Sequence, residues 1–405
     1  MLTQAEISFW VKINEDKGFD LSQIKERLKS MVLETPSWGY GDSGTRFKVF
    51  KQKGVPRNPY EKLEDAATVH GLTGVCPKVA IHIPWDKVDD YAALQRYAQD
   101  LGLSIRAVNP NLFQEEDYAL GSVCNPRVEV RRKALAHLLE CVEIMKQVNS
   151  NVLSLWLADG TNYPGQDDFR KRKHYLMEAL TAVYAALPSS AKLLIEYKMF
   201  EPSFYHTDLA DWGMAYNYTL KLGDQAQVLV DLGHHAQGTN VAHIVSLLLD
   251  EGKLGGFHFN NRKYADDDLM VGAIDPYELF LIAYELVAGE EDQSTSECAK
   301  AVAYMIDQSH NIELKIPAMI RSVMNIQTAF AKALFVPRVE LHQAQEDGDV
   351  IRAELLMKEA FEMDVRPLLG LVRQEMGLSP DPLQAYLDSP YSTKILERGI
   401  GGQSW

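Results

Sequence analysis

No two cysteines in this 405-residue chain are close enough to form a CxxC pair; Cys76, Cys124, Cys141 and Cys298 are widely scattered. That excludes a zinc knuckle or a redox dithiol and fits a reducing compartment. Positive charge is also short: 41 Lys and Arg against 56 Asp and Glu leave a net −15. Such a chain is poorly suited to nucleic-acid phosphates, which need clustered Lys and Arg. The run Arg170-Lys171-Arg172-Lys173 reads as a solvated helix face. No stretch approaches the roughly 18 apolar residues of a membrane span. The first twenty residues are charged from Glu6 on and hold no apolar core, so no signal peptide is expected and the expected location is the cytoplasm. A GxGxxG turn, which an open doubly wound sheet would usually place after an early strand, is missing as well.

What the chain does have is alternation. Short apolar runs occur at 32–38, 78–84, 104–109, 151–157, 192–198, 227–234, 255–260 and 301–308. Longer stretches between them, such as 127–148, 170–187, 241–251 and 276–288, repeat apolar residues every three or four positions, as a helix burying one face does. Strands apolar on both faces, alternating with helices, form a parallel sheet. Eight such units predict a closed (β/α)8 barrel of the TIM type. Residues 1–30 read as an N-terminal helical segment, 31–330 as the barrel, and the remainder to 405 as a C-terminal helical extension suited to oligomer contacts. Helical character in that tail begins near 317.

In such a barrel the strand ends converge on the active site. The runs end in His82, Asn109, Trp156 (followed by Asp159), Glu196 and Lys198, Asp231 and His234, His258 and Asn260, and Asp307. Four consecutive strands therefore deliver Glu196, Asp231, His258 and Asp307. Three converging carboxylates repel one another, and a single lysine, Lys198, cannot offset them, whereas a divalent cation can. Oxygen ligands with an imidazole suit Mn²⁺, Mg²⁺ or Co²⁺, and Zn²⁺ less well. His234, with Asp266 and Asp268 from the triplet in "YADDDL", supplies a second set that Asp231 could bridge to the first. His235 reads as a packing residue. Taken singly, a strand-end Asp is more often a helix cap and a DDD run a solvated loop; the coincidence over four strands favours the cations.

The stretches "PSWGYGDSGTRF", "HIPWDK", "WLADGTNYPGQ", "EYKMFEP", "VDLGHHA", "GGFHFNNRKYADDDL", "GAIDPYELF" and "MIDQSHN", in this order, resemble the bacterial L-rhamnose isomerase family in its broad-specificity branch. The resemblance implies a (β/α)8 barrel, two divalent ions per subunit with Mn²⁺ foremost, and a homotetramer. It implies that Glu196, Asp231, His258 and Asp307 hold a structural ion and that His234, Asp266 and Asp268 hold a catalytic one. Trp38, His82, Trp156, Lys198 and Ser309 would line the sugar site, and Phe47 would reach a neighbouring subunit's site. Position 197 is Tyr where some members carry His, and 261 is Asn where some carry Asp. The implied reaction interconverts L-rhamnose and L-rhamnulose, with L-lyxose, L-mannose or D-allose as other substrates. A hydride would pass between C2 and C1, with Asp307, Lys198 and His234 as the catalytic groups; proton transfer through an enediol is the other route. A metal-dependent hydrolase or epimerase on the same barrel is the alternative class, and a non-catalytic sugar binder is a third. Against a phosphate-ester hydrolase, the only further basic residues near the mouth are Arg262 and Lys263, both in a loop.

Overall fold

The computed structural model describes residues 3–42, 49–201, 205–308 and 312–401. Eight parallel strands close into a barrel: β1 Leu33–Pro36, β2 Lys78–Ile83, β3 Ser104–Pro110, β4 Val152–Trp156, β5 Lys192–Glu196, β6 Ala226–Asp231, β7 Leu254–Phe259 and β8 Ala303–Ile306. Each pairs with the next in sequence, and β8 closes on β1 through Leu33 opposite Tyr304. The chain is thus a TIM barrel with helices around it, as the eight-run alternation predicts.

Side chains of a strand alternate between its two faces, and here the two faces feed two separate cores. The outward residues pack against the helix ring in one large cluster that includes Val79, Ile81, Leu153, Leu155, Leu193, Ile195, Val228 and Val230. The inward residues Ala80, Ala107, Val152, Leu194, Leu229, Ala303 and Met305 form a small second core inside the barrel, with Trp38 above them. Two residues further along the same strand faces stand His82, Asn109, Glu196, Asp231 and Asp307. An apolar plug therefore forms the floor of the site, and the polar groups follow from strand periodicity. At Gly256, two residues before His258, a Cβ would meet Leu194 Cδ1 at 2.6 Å, so any larger residue would make the Leu194 side chain shift.

Two details differ from the sequence reading. The N-terminal segment is two helices, Gln4–Asp16 and Leu21–Lys29. Gly18, at φ 89°, turns the chain out of the first, and Asp20 caps the second through Gln23 N. The second helix lays Leu21, Ile24 and Leu28 into the core, and Arg27 Nε pairs with Glu290 Oε2 at 2.6 Å. Helical character near 317 belongs to the barrel itself, because helix Lys315–Leu334 packs between helices Pro59–Thr73 and Pro276–Glu291 as the eighth of the ring. Five shorter helices follow, from Arg338–Glu346 to Pro390–Lys394. The end of the chain returns to the body: Arg398 Nη1 lies 2.9 Å from Asp65 Oδ2, and Ile400 bridges to Lys53. Among the described residues, no helix is long and apolar enough to cross a membrane.

Candidate active site

The turn that opens at the end of β6 brings the acidic groups together. Asp231 Oδ1 accepts hydrogen bonds from Gly233 N at 2.6 Å and Asn260 Nδ2 at 2.9 Å, which leaves Oδ2 directed at His258. A Cβ on Gly233 would lie 2.5 Å from Asp266 Oδ1, so glycine here leaves room for the Asp266 carboxylate against the turn. The Gly233→Ala variant is accordingly expected to displace Asp266, with at least about a tenfold loss of turnover. Kinetics matching the wild type would show that the loop can yield.

At the barrel mouth two groups of side chains have donor atoms within 4.8 Å of one another: Glu196, Asp231, His258 and Asp307 form one, and Asp231, His234 and Asp266 the other. Asp231 is common to both. His258 Nδ1 lies 3.3 Å from Glu196, 3.4 Å from Asp307 and 3.5 Å from Asp231, yet it is a buried nitrogen without an aligned hydrogen-bond partner. A buried imidazole facing three carboxylates without a hydrogen bond suits a shared cation, and the donor chemistry of the set fits a divalent ion. His234 Nδ1 is 3.0 Å from the Tyr197 carbonyl oxygen, which orients the ring with Nε2 towards Asp266, 3.7 Å away. His235 turns away from the site, where Tyr197 Oη and its Nε2 lie 2.6 Å apart, in keeping with a packing role.

The DDD triplet divides by direction. Asp267 Oδ2 accepts from Lys263 N and Tyr264 N, both at 2.7 Å, and so caps its own loop. Asp266 and Asp268 line the cavity. Asp268, held at φ 47°, stands outside both compact groups. Lys198 Nζ meets Asp266 Oδ2 at 2.6 Å and also pairs with Glu201. Arg262 donates to the Leu232 carbonyl and faces Glu278 at 3.4 Å; it forms no anion clamp at the mouth.

Charge is unevenly shared in this cluster. Burial, reinforced by Asp231 and Glu196 and opposed by His258, raises the Asp307 carboxyl to about 7. Burial raises Asp268 well above its ordinary value too, with Asp266 and Asp307 adding to it. Burial alone would lower His234, but Asp231, Asp266 and Glu196 outweigh it and raise the ring to about 9. Burial opposes the Asp266 charge as well, and Lys198 and His234 override it and hold the carboxyl well below its usual value.

The opposite wall is aromatic. Trp38 Nε1 donates to Asp307 Oδ1 at 2.9 Å, and its ring meets His82 edge-on at 5.4 Å. Trp85 stacks on His82 at 3.8 Å, Phe113 lies 4.8 Å from Trp156, and Lys198 Nζ sits 5.0 Å over the Trp156 ring. The cavity between these walls is about 560 Å³, within the roughly 300–1,000 Å³ usual for small-molecule sites. Trp85, Phe113, Glu201 and Tyr205 also line it and were not picked out from the sequence. Trp85 lies inside the quoted "HIPWDK", whereas Phe113 sits in a loop with no periodic signal. Phe47 and Ser309 lie outside the described residues. Asp159 stands apart from the two donor groups; it accepts from Ser122 N at 2.7 Å and Cys124 N at 2.6 Å.

A parallel barrel with an acidic and imidazole centre at its mouth, opposite an aromatic wall, defines an enzyme built to polarise a small hydroxylated substrate. Residues 86–377 match the family described as L-rhamnose isomerase (RhaA). The chain belongs to that family and is a sugar isomerase of the aldose–ketose type, which settles the choice against the hydrolase and binder readings. It is 43% identical over 384 residues to a probable sugar isomerase of Rhizobium meliloti, covering 94% of this chain and 89% of that one. A probable sugar isomerase of Mesorhizobium japonicum is 42% identical, with 94% and 88% covered. Among solved structures, the fold is similar to an E. coli 3-keto-D-glucoside 4-epimerase (TM-score 0.53, 14% identity, 74% of this chain and 100% of that one). It is also similar to a D-psicose 3-epimerase (TM-score 0.51, 13% identity, 75% and 97%).

Proposed function

We propose that the enzyme interconverts L-rhamnose and L-rhamnulose, with L-lyxose, L-mannose and D-allose as further substrates, by a 1,2-hydride shift. The observation that carries this reading is the pair of buried donor groups sharing Asp231 opposite an aromatic wall. Glu196, Asp231, His258 and Asp307 would hold one divalent ion; His234, Asp266 and Asp231 would hold the other, with Asp268 alongside. Mn²⁺ is the first choice and Co²⁺, Mg²⁺ or Zn²⁺ the alternatives. Bound there, the ions would acidify the O2 hydroxyl and polarise the C1 carbonyl.

The chain's own groups do the rest. Asp307, fixed by the Trp38 indole, stands to take the O2 proton and to return it. Lys198 remains charged beside Asp266 and steadies negative charge developing on O1. Trp38, His82 and Trp156 cover the apolar edges of the sugar and keep water from the reacting carbons. Free thiols, three of them buried, support a cytoplasmic setting. Exposed Val339, Val350 and Ile351 on the C-terminal helices suit the contacts of a homotetramer, which sedimentation would test.

The deciding experiment is an aldose panel (L-rhamnose, L-lyxose, L-mannose, D-allose) with Mn²⁺, reading ketose formed. EDTA is expected to cut turnover by about 10³-fold or more, with Mn²⁺ or Co²⁺ restoring it. Full activity after chelation would refute the ions, and no ketose from L-rhamnose would refute the substrate. Running the reaction in D₂O separates the routes, since a hydride shift admits no solvent deuterium at carbon and an enediol does.

The pH dependence of cation uptake has a definite sign. In the ion-free protein His234 and Asp307 titrate at about 9 and about 7, so both hold protons at pH 6. A cation must expel those protons, and the cost falls as pH rises. Apparent Mn²⁺ affinity is therefore expected to increase from pH 6 to 8, by about tenfold for each proton displaced per pH unit. Calorimetric titrations showing a pH-independent affinity would contradict this assignment of ligands.

A further inference from the structure

Arg172 does not behave as its basic run predicts. In the same helix, Phe169–Ala186, Arg170 is 91% exposed at its side chain and Lys171 and Lys173 face solvent. Arg172, by contrast, is 1% exposed. Its Nε reaches Asp208 Oδ2 at 2.9 Å and its Nη2 the same oxygen at 2.8 Å. Its Nη1 donates to Asp167 Oδ2 at 3.0 Å, to the Leu120 carbonyl at 3.1 Å and to the Cys124 carbonyl at 3.2 Å. Asp159 joins the same knot: Asp208 N donates to its carbonyl at 2.8 Å, while its carboxylate holds Ser122 and Cys124. Cys124, Asp159 and Asp208 have the spacing of a third cation group, but the guanidinium already supplies the positive charge there.

These partners lie on three different loops, those after β3, β4 and β5. The first carries Phe113, Gln114 and Tyr118, and the third carries Glu201 and Tyr205, all of which line the cavity beyond the cation groups. We propose that Arg172 is a positioning residue that fixes the outer wall of the sugar site by clasping the loops after β3, β4 and β5. It touches no substrate atom; it sets where the wall meets the part of the sugar remote from the reacting carbons. This rests on the sugar-isomerase assignment above.

The fork geometry makes the clasp testable. A lysine keeps the charge but cannot address Asp208, Asp167 and two carbonyls at once. Arg172→Lys is expected to raise KM for the best aldose at least about tenfold with kcat within about threefold, the mark of lost binding that ground and transition states share equally. A merely structural loss would lower the folded fraction, and hence kcat per total enzyme, and leave KM unmoved. Ser122→Ala, a milder cut that removes only the 2.7 Å bond donated by Ser122 Oγ to Asp159 Oδ1, is expected to raise KM about threefold. Arg170→Lys, on the exposed side, should match the wild type. Hydrogen exchange provides a readout that needs no turnover: the Ser122 and Cys124 amides should exchange at least about tenfold faster in Arg172→Lys, with the barrel strands unchanged. Unmoved KM in both variants, or unmoved exchange at those amides, overturns the proposal. A wild type that forms no ketose would instead overturn the function, and exchange would still decide the clasp.

Discussion

Glu196→Gln is expected to abolish isomerisation and release the ion of the first group. The amide preserves the shape of the side chain and removes its charge, so the fold is little disturbed. His258 then faces two carboxylates in place of three, and a hard cation loses an anionic oxygen from a group whose donor atoms all lie within 4.8 Å of one another. Turnover should drop by about 10³-fold or more. Bound Mn²⁺ should fall measurably by elemental analysis. Thermal denaturation with and without Mn²⁺ gives a second reading. A ligand present at about 1,000 times its Kd stabilises by about 4 kcal/mol, so the wild type should melt well above its ion-free form. In Glu196→Gln that gap should largely close, while the ion-free melting points of the two proteins stay close. Undiminished Mn²⁺ content would remove Glu196 from the ligand set.

Lys198→Met is the second large effect. Lys198 is buried between Asp266 and Glu201, and those two carboxylates keep its ammonium charged despite burial. Methionine fills similar space without the charge. If Lys198 steadies charge that appears on O1 only as the hydride moves, its loss lowers kcat and kcat/KM together, by about 10²–10³-fold. Bound Mn²⁺ should be retained at the first group, which Lys198 does not touch. A variant with a raised KM and full kcat would make Lys198 a binding group only.

The parts of this molecule legible in its sequence are those set by periodicity. Eight apolar runs specify eight staves, and a two-residue repeat along each places Glu196, Asp231 and Asp307 above Leu194, Leu229 and Met305. The separation of Asp267 from Asp266 and Asp268 has a different origin, the Asp267 carboxylate capping its own loop beside a left-handed Asp268. What escaped depends on distance in space. Phe113 reaches the cavity from a long loop whose path is set by the Arg172 knot, and nothing local to residue 113 encodes that. Arg172 itself was misread because charge runs are normally solvated, and only its convergence with Asp167 and Asp208 offsets the cost of burying it. The break at Gly18 was there to be read, as a glycine followed by a capping aspartate, but the helical composition on either side concealed it.

Asp231 carries one negative charge and belongs to two neighbouring groups, so neither can fill independently of the other. Whatever an occupant of the first draws from that carboxylate is withdrawn from the second, and thermodynamic reciprocity makes the influence equal in both directions. Loading should therefore follow a sequence, with the group that offers four donors taking its cation at lower concentration than the group that offers three. Exchanging the species held there should retune the affinity of the other position, although its own remaining donors, His234 and Asp266, are untouched.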